Sequence, residues 1–320
     1  MKNKNGVMSV NAIIEKITEQ IQEGIYPGAS LALYRNGQWS EHYLGLADPE
    51  KGEPVEADLV YDLASVSKVV GVATICAFLY TKGELALDRP FKEFYPRFAH
   101  EKTTIRELLT HTSGLDPFIP NRDQLDARQL KTALENLQLK EDKSFHYTDV
   151  NFLLLGFWLE DRFHQPLDRL FEELIFTPWK MTETRFGPVE KAVPTVRGVA
   201  SGSVHDPKAR VLGCHAGSAG LFSTVADLER FLEHYLKDDF ARDLSQNFAR
   251  EEGKTRALGW NLEGDWLDHT GYTGTFIMYN RKRQEAVIFL SNRTYEKDER
   301  AQWILDRNSL MDLIKQEFEK

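Results

Sequence analysis

The sequence is poor in cysteine. It has two in 320 residues, Cys76 and Cys214, far apart and both in apolar or small-residue settings. That argues against a disulfide framework, and buried thiols are expected. Positive charge is also short, with 40 Lys and Arg against 49 Asp and Glu and a net charge of −9. Such a balance argues against a nucleic-acid partner and an anionic membrane surface. The longest apolar run, Val69 to Tyr80, is too short to span a bilayer. The opening stretch MKNKNGVMSVNAIIEKITEQ has neither an apolar core of signal-peptide length nor a small-residue cleavage site. A cytoplasmic protein is therefore expected, with no membrane partner. No repeat or low-complexity linker is present, and no Gly-rich dinucleotide fingerprint follows a strand. Gly253-Lys254-Thr255 has the look of a phosphate-loop tail, but Phe248 stands where the first glycine is needed. Nine histidines are scattered without a pair at helical i, i+4 spacing and a third ligand nearby. His205-Asp206 with His215 is the one metal reading left, and no metal or cofactor is expected.

What the chain does have is 42% hydrophobic residues, enough for one large domain or two intimate ones. Ser9 or Asn11 is placed to cap an opening helix with an Ile13, Ile14, Ile17 and Ile21 stripe, ended by Gly24. Two β-rich runs flank Asn36-Gly37, a strong hairpin signal. Near the other end, the stretches at Gly259–Leu262, Trp266–His269, Thr275–Tyr279 and Ala286–Leu290 read as short antiparallel strands. A last helix carries Trp303, Ile304, Leu310, Leu313 and Ile314. Between the ends, helices are expected around Ile105–Leu109, Leu125–Leu139, Val150–Phe163 and Ala226–Tyr235. The fold class is thus α+β: an antiparallel sheet built from both chain ends and flanked by helices, with a mostly helical insertion. Residues 1–82 and 253–320 would form the sheet domain and 83–252 the helical one, with a site in the cleft between them.

Ser65-Val66-Ser67-Lys68 lies where polar residues give way to the apolar run. A buried helix is expected to start near Ser65. Spacing of three puts hydroxyl and amine on one face, one turn apart. The amides and positive dipole end of that helix would face a developing anion, which is how a weak serine nucleophile is activated. Burial among Val69, Val70, Val72, Ala73, Ile75 and Cys76 would lower the Lys68 pKa and free its amine. The plain alternative is a capping serine and a solvated lysine. Two further stretches could complete a site. In SFHYTDVNFLLLGFWLE, Tyr147 and Asp149 precede a helix, and Asp149 is well placed as its N-cap. In WLDHTGYTGTF, His269-Thr270-Gly271 reads as a strand entering a tight turn. Gly271 lets backbone come close to a ligand, and the Tyr272 amide could serve as an oxyanion donor.

The order Ser-x-x-Lys, Tyr-x-Asp, His-Thr-Gly resembles the serine β-lactamase and penicillin-binding-protein superfamily. Within it the chain is most similar to class C β-lactamases and their esterase and D-aminopeptidase-like relatives. PGASLALYRNG, TIRELLTHTSGL, FTPWKMTETRF and HAGSAGLFSTVADLERF also match, so the resemblance runs from about residue 10 to 315. It implies a β-lactamase/transpeptidase-like fold and a covalent acyl-Ser65 intermediate. Lys68 and Tyr147 would share the general base role, and the Ser65 and Tyr272 amides would hold the oxyanion. His269, Thr270, Gly271 and Asp149 would support them. The chain departs from the usual motifs in carrying His269 for Lys and Asp149 for Asn. Both changes lower positive potential, which favours a small neutral ester or amide over β-lactams and D,D-peptides. β-Lactamase or D,D-carboxypeptidase work is the alternative within the class. A non-catalytic or covalent-sensor module is the alternative outside it. A small-molecule acyl substrate is the partner expected, and a monomer is favoured.

Overall fold

The computed structural model describes residues 10–250 and 254–320. Asn36 and Gly37 both take positive φ, 54° and 79°, as a two-residue primed turn requires. They join β1 (Gly28–Arg35) to β2 (Gln38–Asp48) in a hairpin with Arg35 paired to Gln38. A short β3 (Glu53–Pro54) continues that edge. Three further short strands, β4 (Tyr61–Asp62), β5 (Arg185–Phe186) and β6 (Leu221–Ser223), make a small second sheet in the order β4-β6-β5. The chain then returns through β7 (Asn261–Glu263), β8 (Trp266–Thr270), β9 (Phe276–Asn280) and β10 (Glu285–Ser291). β10 pairs antiparallel with β1. The seven-stranded sheet therefore runs β3-β2-β1-β10-β9-β8-β7, with the two chain ends meeting at its centre.

Both faces of the central strands β1, β10 and β9 are covered, which is why these read as nearly unbroken apolar runs, whereas β2 is largely exposed or half-buried. On one face Leu31, Leu33, Met278, Val287 and Phe289 pack with the terminal helices Val10–Gln22 and Arg300–Glu319 through Ile13, Ile17, Trp303, Leu310, Ile314 and Phe318. The alternate residues, among them Ala32, Ile277, Tyr279 and Ile288, face the larger core shared with the middle of the chain. The opening helix already includes Asn11, so that residue is not its cap, and Ser9 lies outside the described residues. So does residue 253, the expected boundary and part of the phosphate-loop lookalike. On the last helix Met311 and Phe318 are buried, whereas Ile304 and Leu313 are only partly covered.

The middle of the chain is helical where expected: Ile105–Thr110, Ala127–Glu135, Val150–Phe163 and Val225–Lys237. Thr104 with Glu107, and Asp126 with Gln129, form reciprocal capping boxes. One correction concerns the apolar run. Residues 64–81 form a continuous helical stretch long and apolar enough by composition to cross a membrane, longer than the run read from sequence. It is 78% buried inside the protein, however, and serves as its central core helix. Both cysteines are free thiols; Cys76 is buried and Cys214 is half-buried.

Candidate active site

The core helix does not begin as a regular α-helix. Ala64–Val66 is a 3-10 turn, Val69–Ala73 is π-helical, and α-helix holds only from Thr74. π-Helical segments inside helices are frequently found at functional sites. Just before Ser65, Ala64 sits at φ 45°, a strained conformation for a residue with a Cβ. Asp62 fixes it: Oδ1 accepts from the Ala64 N–H at 2.8 Å and Oδ2 from the His205 N–H at 2.8 Å. Burial pushes the Asp62 carboxyl up to about 6, although both N–H donors pull the other way.

The result is a half-buried Ser65 beside a fully buried Lys68. Lys68 Nζ donates to Ser65 Oγ at 2.9 Å, to Asp149 Oδ1 at 2.7 Å and to the Ser218 carbonyl at 2.9 Å. Three acceptors match the three N–H bonds of an ammonium. Burial alone would lower the Lys68 pKa, as the sequence suggested. The Asp149 carboxylate and Tyr147 outweigh burial and hold it above the ordinary lysine value. Asp149 in turn is penalised by burial but held below the usual carboxylate range by Lys68 and by Lys208, whose Nζ is 3.1 Å from Oδ2. Asp149 therefore does not cap its helix with its side chain. Its carboxylate is spent on two lysines. No local pattern signals Lys208, which lies at the start of the helix Pro207–Leu212.

Tyr147 lies at the mouth of the site, 37% exposed, its ring 5.2 Å from Lys68 Nζ. Two histidines flank it. His111 is tilted against the Tyr147 ring at 4.6 Å between centroids, and His269 is 6.1 Å away. His111 escaped the sequence reading as a site residue. Its Nδ1 lies 3.1 Å from the Asn151 amide, and the Asn151 Oδ1 accepts from Ser113 Oγ at 2.7 Å. Its carbonyl accepts from the His146 N–H at 2.9 Å, which ties down the loop that presents Tyr147. Burial, then Arg256 and Lys68, drive the His111 pKa well down; burial, then Lys68 and Arg256, do the same to His269. Both rings are thereby biased toward the neutral form. Neither nitrogen of His269 makes a well-formed hydrogen bond among the described residues.

The β8–β9 turn is stapled to the strand entering Ser65. Thr273 Oγ1 donates to the Asp62 carbonyl at 2.8 Å and Thr275 Oγ1 to the Leu63 carbonyl at 3.1 Å. The Gly271 N–H is taken by the Thr275 carbonyl at 2.7 Å. The Ser65 and Tyr272 amides donate to no acceptor among the described residues, so both remain free for an oxyanion. The approach at Gly271 is close: a Cβ there would lie 2.1 Å from Thr275 Oγ1 and 2.6 Å from the Leu63 carbonyl. Gly271→Ala is expected to push β8 off the Ser65 turn. It should lower kcat/KM at least about 100-fold, as loss of an oxyanion donor does. Steady-state kinetics alongside a melting curve check this, with activity falling much more than stability.

Ser65 and Tyr147 border two cavities. One, of about 680 Å³, is walled by Asp116, Phe118, Arg122, Lys208 and Tyr272. The other, of about 210 Å³, lies on the His269 side. There the low positive potential expected from the motif is confined to position 269 itself. Arg256 is wholly buried, with its guanidinium 5.4 Å from the Phe145 ring and bonded to the Gly259 carbonyl. Burial pushes it down to about 10, which still leaves it a cation. Charge absent from position 269 is thus present behind it. Among the described residues, no group of three or more His, Cys, Asp or Glu is arranged to hold a metal.

Comparisons with known proteins bear on the family and the fold. The Beta-lactamase family profile matches residues 13–310. An Escherichia coli K12 protein described as "Putative D-alanyl-D-alanine carboxypeptidase" is 27% identical over 363 residues, covering 90% of this chain and 83% of its own. Among solved structures, EstCE1, described as a hydrolase with promiscuous acyltransferase activity, superposes with a TM-score of 0.76 at 18% identity, covering 95% of this chain and 98% of its own. A class C β-lactamase from Rhodobacter sphaeroides gives 0.70 at 20% identity, covering 95% and 99%. A β-lactamase/D-alanine carboxypeptidase from Pseudomonas syringae gives 0.72 at 19%, covering 93% and 98%. With a family profile spanning nearly the whole length and the same fold in these structures, the chain belongs to the Beta-lactamase family of serine hydrolases.

Proposed function

We propose that the protein transfers an acyl group from a small ester or amide to Ser65 and then to water. The observation that carries this is the contact of Ser65 Oγ with a buried ammonium that Asp149 and the Ser218 carbonyl hold in place. In this reading Oγ attacks the carbonyl while the free Ser65 and Tyr272 amides receive the negative oxygen. The Ser65 proton needs an unprotonated acceptor, and Lys68 is already an ammonium with all three N–H bonds committed. Tyr147 is therefore assigned as acceptor in its phenolate form, its own proton having passed to solvent beforehand, with the Lys68 charge stabilising the phenolate. Tyr147 next gives the proton to the leaving group, and in the second half-reaction it activates water. Lys68 and Tyr147 act as one couple, with the cation and the base on different members.

A D,D-carboxypeptidase reading is favoured by one specific observation, the buried Arg256 behind His269. Relatives carrying that name lie along the same sequence. A screen of p-nitrophenyl esters, D-amino-acid amides, D-alanyl-D-alanine peptides and nitrocefin separates the possibilities. Ester or amide turnover well above nitrocefin turnover is expected. Nitrocefin hydrolysed far faster than p-nitrophenyl butyrate would replace this reading with a β-lactamase. A burst without turnover would replace it with a covalent sensor.

A further inference from the structure

The smaller cavity, on the His269 side of Ser65, has an unusual opposite wall: Lys254, Arg300 and Arg307. Arg293 also reaches it but is spoken for, pairing with Asp298 at 2.5 Å and donating to the Tyr272 carbonyl at 2.9 Å. The other three have no ion pair among the described residues. Lys254 rests against the Phe145 ring at 5.4 Å, and Arg300 lies over Tyr272 at 5.5 Å. Arg307 donates to the side-chain oxygen of its neighbour Asn308 at 3.0 Å. Arg256 adds a fourth charge from behind. Two carboxylates face this group: Glu263 is paired elsewhere, and Asp268 keeps its charge and offsets one of the four cations. Asp268 Oδ1 accepts from the Asn261 amide at 2.7 Å, and Glu263 pairs with Lys315 at 2.5 Å.

The cations feel one another. Burial first, then Arg256 and Arg307, hold Lys254 below its ordinary value, against Asp268 and Glu263. Burial, with Arg293 and Arg300, does the same to Arg307 against Asp268. Most cations of this acidic chain sit beside carboxylates. A cluster only partly compensated next to a nucleophile focuses field on whatever enters. A single carboxylate would leave most of that charge unanswered.

We propose that this cavity binds a dianionic arm of the substrate, two carboxylates or one phosphate, on the His269 side of the scissile bond. The proposal rests on acyl transfer at Ser65 and narrows its substrate class. Guanidinium forks on Arg300 and Arg307 suit planar carboxylates and phosphates alike.

Calorimetry on the intact Ser65→Ala chain measures this without turnover. One series varies the leaving side: hippuryl esters of lactamide, lactate and malate, with hippuryl 2-hydroxyethyl phosphate to separate phosphate from dicarboxylate. The other varies the acyl side: mono-p-nitrophenyl esters of butyric, glutaric and tricarballylic acids. Affinity is expected to rise about tenfold per negative charge at low salt in one series. The gain should shrink strongly at about 0.5 M NaCl. Which series gains tells which side of the scissile bond lies in the cavity. Arg300→Gln, at an exposed position, and Arg307→Gln are each expected to remove most of the second tenfold step. Equal affinities across both series, or a dianion preference that survives both substitutions, would overturn the proposal. If Ser65→Ala still hydrolyses these esters, the nucleophile assignment fails while the charge series still reports on the cavity.

Discussion

Ser65→Ala is expected to lower kcat/KM for any substrate found by about 100,000-fold or more, the scale seen when a serine nucleophile is removed from a working site. It should also abolish labelling by a fluorophosphonate probe. The fold should survive. Ser65 is only half-buried, and its loss takes one acceptor from Lys68 while Asp149 and the Ser218 carbonyl remain. One hydrogen bond is worth about 1 kcal/mol, so the melting temperature should move by a few degrees at most. A collapse in activity beside a near-normal melting curve therefore reports chemistry and not structure. Labelling at the wild-type level would refute Ser65 as the nucleophile.

Asp149→Asn is the second large effect, and its direction separates two mechanisms. At contact distance and an effective dielectric near 20, a carboxylate stabilises an ammonium by about 4 kcal/mol, or about three pKa units. Removing that charge lowers the Lys68 pKa. If Lys68 works as a cation beside Tyr147, the alkaline fall in kcat/KM moves to lower pH and activity at neutral pH does not rise. If Lys68 works as a free amine, the variant gains activity at neutral pH instead. The structure favours the first outcome, because the folded protein raises the Lys68 pKa despite complete burial. Stability changes with pH as well. The Asp149 pKa is depressed in the fold, so its contribution is present above the ordinary carboxylate value and fades as pH falls through the folded one. The Lys68 pKa is raised, so its contribution is present below the ordinary lysine value and is lost as pH rises through the folded one. Asp149→Asn should flatten the acid side of the stability profile. It should also destabilise the protein by a few kcal/mol near neutrality, because a buried cation loses its partner. Thermal unfolding across pH checks both.

Asn36-Gly37, the isoleucine stripe of the first helix and the apolar runs near the C-terminus were legible because hairpin, helix and strand periodicities are local. So was the principal constellation. Ser65 and Lys68 stand one helical turn apart, and the Tyr147 and His269 stretches carry motif neighbours of their own. What was not legible depends on distance in sequence. Lys208 reaches Asp149 from 59 residues away. His111 supports Tyr147 through Asn151. Arg256, Arg300 and Arg307 return positive charge to a site whose motif has a neutral histidine. Lys68 shows the limit most clearly. Its apolar neighbours correctly announce burial, but the sign of its pKa shift is set by Asp149, which only folding brings to 2.7 Å. The irregular start of the core helix is likewise decided by Asp62, the β8–β9 turn and the strained Ala64, not by helix propensity.

The most direct measurement is intact-mass analysis of the wild-type protein quenched during turnover of a slow ester, followed by peptide mapping. A mass increase equal to one acyl group is predicted, located on the peptide containing Ser65 and absent from Ser65→Ala. Turnover with no adduct on that peptide, or with the acyl group on another residue, would contradict acyl transfer through Ser65.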